Sequence, residues 1–160
     1  MPHCTILVGL PASGKSTYVL SENISYCWDA EVISTDKIID NITYMYNMTY
    51  NEGFTNLIKF AEQAMLRHLE LSIERGYDVV VDRTNLTLQS RKRFIDIVKA
   101  AGYTVEAIVF PKPDDVEWNR RLNSREGKNI PLEALDRMKA LYVEPSFAEG
   151  FDVITFKDAE

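Results

Sequence analysis

Nine residues near the amino terminus, Gly9-Leu10-Pro11-Ala12-Ser13-Gly14-Lys15-Ser16-Thr17, set two glycines, a lysine and two hydroxyls at fixed spacing. They match GxxxxGK[ST] at every fixed position, the pattern of a loop whose backbone N–H groups surround phosphate oxygens. Gly9 and Gly14 let the main chain wrap closely. Lys15 can reach the β and γ phosphates of a nucleoside triphosphate, and the Ser16 hydroxyl can hold a magnesium ion. The loop residues Gly9, Pro11, Ala12, Ser13, Gly14, Lys15, Ser16 and Thr17 are therefore expected to bind ATP, or another nucleoside triphosphate, with Mg2+. A chance match in a Gly/Ser turn is the alternative. The flanks argue against it: Cys4 to Val8 is an apolar run that reads as a buried strand, and a helix opening at Lys15 presents its positive end to the same anion.

Three further segments carry groups suited to phosphoryl transfer. Ser34-Thr35-Asp36 follows the second strand candidate. A carboxylate there can take a proton from an attacking hydroxyl, general-base work worth about a hundred- to ten-thousandfold. Equally, Asp36 can serve only as a cap for a helix beginning near Lys37. Val79-Val80-Val81-Asp82-Arg83-Thr84-Asn85 ends a buried strand in an acid, which can hold the magnesium shell. Thr84 and Asn85 can orient the loop or the acceptor, or Asn85 can mark a left-handed turn. Arg121 and Arg125 stand four apart, on one face of a helix, where they can neutralise charge on a nucleotide and on the transferred group. A solvated surface helix is the alternative for them, and Gly127 beside them can act as a hinge.

The elements that must position these groups alternate. After the loop helix, strands are predicted at Ala30–Ile33, Asp78–Asp82, Tyr103–Phe110 and Phe151–Phe156. Helices are predicted over Tyr50–Arg75, Leu88–Ala101, Asp114 to about Arg125, and Pro131 to about Tyr142, with Gly76 and Gly102 as stops and Thr87 as a cap. Phe54, Leu57, Ile58, Ala61, Met65 and Leu69 recur at helical spacing and are expected in the core. This order implies a parallel, helix-flanked sheet over a single domain, 1–160. Ligands in such sheets bind beyond the carboxyl ends of the strands, which gathers the Gly9 loop, Ser34–Asp36 and Asp82–Asn85 at one edge.

Composition narrows the class. At 160 residues and 46% hydrophobic, the chain suits one globular core. A net charge of −6 argues against a broad nucleic-acid surface but permits a local basic pocket. Cys4 and Cys27, in an early loop, form no disulfide framework or zinc pattern. His3 and His68 look incidental. No signal peptide or membrane-length apolar run is found, so no membrane partner is expected and the expected compartment is the cytoplasm.

In sum the chain resembles the polynucleotide 5′-hydroxyl kinases of phages and their relatives in animal end-healing enzymes. The resemblance runs nearly the whole length, through GLPASGKST, STD, DRTN, SRKRF, AGYTVEAIVF and NRRLNSREGKNIP in order. Its D-x-TN-x5-R element separates it from shikimate- and gluconate-type kinases. It implies a P-loop NTPase fold of the nucleoside-kinase-like type, with the third strand beside the first and a small arginine-bearing lid. It implies that Lys15 and Ser16 bind phosphates and magnesium, Asp36 activates the acceptor hydroxyl, and Arg125 is the lid arginine. Asp82 and Asn85 would support the site. The implied activity is ATP-dependent transfer to a 5′-hydroxyl of DNA or RNA, with a nucleic-acid 5′ end as partner.

Two departures bear on that. Phage members carry an arginine that grips the acceptor phosphate where this chain has Ile39. The bifunctional members add a phosphatase domain with a DxDGT motif, absent here, so no 3′-phosphatase activity is expected. Tyr44, Tyr46, Tyr50 and Phe54 either stack on an acceptor base or pack into the core. Three functions stay open: a 5′-hydroxyl kinase, a kinase of the same fold acting on another hydroxyl (a modified base in DNA, a tRNA-bound group or a small metabolite), and an ATP-binding module without transfer. Asp36 together with Arg125 argues against the third.

Overall fold

In β1 (His3–Val8), Cys4, Ile6, Leu7 and Val8 are fully buried because both faces of the strand are covered there. The computed structural model describes residues 1–22 and 30–158; Cys27 lies outside them. β1 is followed by α1 (Lys15–Ser21), β2 (Ala30–Ile33), α2 (Thr35–Met45), α3 (Tyr50–Glu74), β3 (Asp78–Val81) and α4 (Leu88–Ala100). Then come β4 (Thr104–Val109), α5 (Asp115–Asn123), α6 (Leu132–Leu141), a 3-10 turn (Phe147–Glu149) and β5 (Val153–Phe156). The strands form one parallel sheet in the order β2-β3-β1-β4-β5. The third strand lies beside the first, as the resemblance implies.

Alternation along the strands sorts the core. Ile6, Val8, Val79 and Val81 face Met65 and Leu69 of α3 and Phe94 and Val98 of α4. Leu7, Val80, Val32 and Ile108 face Val19 of α1 and Phe110. A third cluster, Leu10, Leu86, Trp118 and Leu135, packs the loop after β1 against α5 and α6.

Two helices follow β2, the one considered near Lys37 and the longer one from Tyr50. Ser34 caps α2, its side chain accepting from the Lys37 N–H, and a Thr49–Glu52 capping box starts α3. α2 carries two Thr, an Asn and a Tyr, residues of modest helix propensity. It holds by packing on α3, where Gly53 permits close approach: a Cβ there would collide with Thr43. On α3, Ala61, Met65 and Leu69 are buried as expected, but Phe54 is 42% exposed. α5 stops at Asn123, so Arg125 follows the helix and does not share its face with Arg121. No described helix is long and apolar enough to cross a membrane.

Candidate active site

The carboxyl ends of β1, β2 and β3 deliver the three expected segments to one cleft of about 1530 Å³. Every expected site residue lines it except Gly9 and Asn85. The loop after β1 is fixed by its backbone. The Gly9 N–H donates to the Thr84 carbonyl at 3.0 Å. Gly9 has no room for a side chain, since a Cβ would lie 2.7 Å from Ser13 Oγ. Ala12 (φ 58°) and Gly14 (φ 101°) turn left-handed, a cost of order 1 kcal/mol for Ala12 that the packed surroundings enforce. No side chain caps α1, which leaves its first N–H groups facing the cleft for an anion.

Lys15 is buried with its ammonium inside this turn. Nζ donates to the carbonyls of Gly9 (2.8 Å) and Leu10 (2.7 Å) and to Ser13 Oγ (3.3 Å). Burial lowers its pKa to about 8, with Arg125 adding to the fall while Asp82 and Asp36 oppose it. Ser16 Oγ donates to Asp82 Oδ2 at 3.3 Å. Burial raises the Asp82 pKa, and Asp36 adds to the rise, against Lys15 and Ser16. Among the described residues no group of three His, Cys, Asp or Glu forms a metal cage. A hydroxyl and one carboxylate are nevertheless what magnesium takes from a protein when phosphates and water supply the rest.

On the other wall, Asp36 sits in the first turn of α2. It is not the cap, a role Ser34 fills. The Tyr50 hydroxyl donates to Asp36 Oδ1 at 2.5 Å. Burial and then the Asp36 carboxylate push the Tyr50 pKa well up, so the phenol stays protonated. Lys128 Nζ stands 4.2 Å from the Tyr50 ring centroid and 2.8 Å from Asp40 Oδ2.

The segment carrying Arg125 and Lys128 closes over α3. The Asn51 N–H donates to the Gly127 carbonyl at 3.3 Å, and Asn51 exchanges hydrogen bonds with the Asn129 backbone. Gly127 has φ 72° and lies against Thr49 and Tyr50. Arg121 reaches the P-loop, with Nη1 3.9 Å from where a Gly14 Cβ would be, and its Nε donates to Glu117 at 2.5 Å. Hydrogen bonds from Arg120 and Arg121 hold the Glu117 pKa down to about 2.

Asn85 needs a correction. It is 2% exposed, left-handed (φ 49°), and its amide donates to the Leu7 carbonyl at 2.7 Å, tying the ends of β1 and β3. Of the roles open to it, the left-handed turn that supports the loop is the one present; Asn85 does not line the main cleft, whereas Thr84 does. Two roles escaped the sequence. Tyr50 was read only as a stacking or core ring. Arg91, the arginine of D-x-TN-x5-R, has no role that the pattern alone discloses. It is fully buried, pairs with both oxygens of Glu149 (2.7 and 2.8 Å), and donates to the carbonyls of Asn85 (3.0 Å) and Val143 (2.9 Å). Its fixed spacing from Asn85 was the available signal.

Known proteins share this framework. The family model described as AAA domain matches residues 5–145. A bifunctional polynucleotide phosphatase/kinase of Schizosaccharomyces pombe is 24% identical over 149 residues, 91% of this chain and 31% of that protein. The chain thus spans less than a third of that relative's length. The crystal structure of a candidate kinase from Chloroflexus aurantiacus superposes with a TM-score of 0.70 at 18% identity, covering 98% of this chain and 85% of that one. A chain of the Pnkp1/Rnl/Hen1 RNA repair complex gives 0.62 at 23% identity, covering 88% and 43%. The two structures establish a common fold, a parallel sheet of the P-loop kinase type. The family match covers most of the chain, loop and lid included, and the chain belongs to the AAA-domain family.

Proposed function

We propose that this chain is an ATP-dependent kinase that phosphorylates the 5′-hydroxyl of DNA or RNA, with residues 1–160 forming one kinase domain that works in the cytoplasm. The observation that carries the reading is the opposition of Asp36 to the Lys15 loop across one cleft, with Arg125 on the closing segment. Tyr50 engages Asp36 Oδ1 and leaves Oδ2 for an acceptor. Oδ2 takes the proton as the acceptor oxygen attacks the γ-phosphorus; the bond to the β,γ-bridging oxygen breaks and ADP departs. Lys15, Arg121 and Arg125 supply positive charge around the phosphates. Ser16 and Asp82 would hold Mg2+, which when bound neutralises charge on the β and γ oxygens. The S. pombe relative, by its name a polynucleotide phosphatase/kinase, supports the acceptor class.

One observation favours a second reading, a kinase of another hydroxyl. Ile39 is fully buried between α2 and α3, so the position of the phage arginine faces the core. Transfer of labelled γ-phosphate to 5′-hydroxyl oligonucleotides, hydroxymethylated DNA and small alcohols separates the two. Label on oligonucleotides alone supports the first reading. ATP binding without label on any acceptor leaves a nucleotide-binding module. Asp36→Asn should keep ATP affinity and melting temperature while transfer falls about a hundredfold or more. A fully active variant removes Asp36 from the chemistry.

A further inference from the structure

One face of α3 forms the floor of the acceptor side: Tyr50, Phe54, Ile58 and Glu62, four residues apart, all line the cleft. At the far end Glu62 bridges two arginines. Its Oε1 meets Arg83 at 2.6 Å and its Oε2 meets Arg93 at 3.0 Å, all three side chains between a quarter and two-fifths exposed. Burial works against the Glu62 carboxylate, but hydrogen bonds from Arg83 and then Arg93 outweigh it and hold its pKa below the ordinary value. A second hollow of about 390 Å³, lined by Arg83, Thr84, Gln89, Ser90 and Arg93 among others, continues from the main cleft and shares Arg83 and Thr84 with it. The channel therefore does not end at the chemistry. It runs on from Asp36 over an exposed aromatic ring to a paired-guanidinium site with a net positive charge, in a chain of net charge −6.

We propose that Arg83 and Arg93 form a phosphodiester clamp for an internal phosphate of a single-stranded acceptor, with Glu62 as a built-in stand-in that the phosphate displaces. This rests on the kinase reading above and names a specificity site within it. Two planar guanidiniums sharing one two-oxygen anion is the geometry that a phosphodiester takes. Glu62 is about a quarter exposed and lines the open cleft, so its side chain can turn into that space. From Tyr50 to Glu62 the helix rises about 18 Å. A stacked strand rises about 3.4 Å per nucleotide, so the clamp meets a phosphate inside the strand and not on the terminal nucleotide. Phe54 and Ile58 lie between, where unstacked bases can rest.

The test is binding without ATP. The probes are a 5′-hydroxyl single-stranded hexanucleotide and a dinucleotide, each labelled with fluorescein at the 3′ end, read by anisotropy over a salt series. The wild-type chain should bind the hexanucleotide more tightly. Arg83→Gln and Arg93→Gln should each weaken hexanucleotide binding and lower the slope of log affinity against log salt by about 0.7. Glu62→Gln should tighten hexanucleotide binding about fivefold, the effect of removing one nearby charge in water, and leave the dinucleotide unchanged. A merely structural Glu62 predicts the opposite sign. Arg93→Gln, on the outer face of α4, keeps the test valid if Arg83→Gln fails to fold. Undetectable hexanucleotide binding, equal effects on both probes, or a Glu62→Gln variant no tighter than wild type overturns the clamp. Failure of phosphoryl transfer with this binding pattern intact overturns only the kinase reading.

Discussion

On the proposed kinase reading the cleft has a donor wall and an acceptor wall, and the two are built differently. The donor wall is one contiguous loop locked by backbone contacts: Lys15 on the Gly9 and Leu10 carbonyls, Gly9 on Thr84, and Trp118 Nε1 on the Pro11 carbonyl at 2.8 Å. The acceptor wall is assembled by side chains from α2, α3 and the segment after α5, with Asp36, Tyr50, Lys128 and Asp40 in contact with one another. Tyr44 (88% exposed) and Tyr46 (71%), at the end of α2, neither line the cleft nor pack into the core. Phosphates are alike in every nucleotide, so a rigid cradle of main-chain groups suits them. Acceptors vary, and a wall of side chains can change without disturbing the sheet.

Perturbing each wall sharpens this contrast. Lys15→Ala should reduce transfer below detection, with Ser16→Ala close behind, a loss beyond the about 10²- to 10³-fold of a single stabilising donor. Turnover by Lys15→Ala at the wild-type rate would show that the loop is not the donor site. Arg125→Ala should cut the rate about 10²- to 10³-fold and weaken ATP binding far less, since its charge matters most as negative charge develops. A rise in the ATP dissociation constant alone makes Arg125 a ground-state contact. Tyr50→Phe should lower kcat about tenfold, the worth of a hydrogen bond to a charged group, with KM for ATP unchanged. If KM for ATP moves with it, the two walls are not separable.

The smallest effect concerns the free donor wall. Lys15 is depressed to about 8, and phosphates favour its charged form. Nucleotide affinity should therefore be full below that pH and decline as pH rises through it, about fourfold weaker by about pH 8.5. Calorimetry in buffers of different ionisation heat should detect growing proton uptake over the same range. A flat affinity across it would place Lys15 outside phosphate contact.

Legibility followed the same division. The donor loop was readable because its function lies in consecutive residues, and the strands because an unbroken apolar run such as Ile6–Val8 has no other home. Asp36 was readable as a position but not in its environment. That depends on Tyr50, fourteen residues on and at the start of the next helix, a pairing that no local spacing announces. Asn85 and Arg91 were legible as a spacing and not as a direction: polar residues in a motif suggest contact with ligand, whereas these two face inward and tie carbonyls together. Arg125 was misplaced on α5 because a four-residue interval reads as a helix face even where the helix has already stopped.

Val143 is held at both backbone poles, its N–H on the Leu86 carbonyl at 2.8 Å and its carbonyl by Arg91 at 2.9 Å. With Trp118 fastened to Pro11, the stretch bearing α5 and α6 is moored at each end to the body that carries the catalytic loops. Residues 118–143 thus form a tethered span, packed between its moorings through Leu122 and Leu135. Arg125, which lines the cleft beside the phosphate loop, and Lys128, which stands on Tyr50 and Asp40, share that one span, so the same two moorings set the place of both cations.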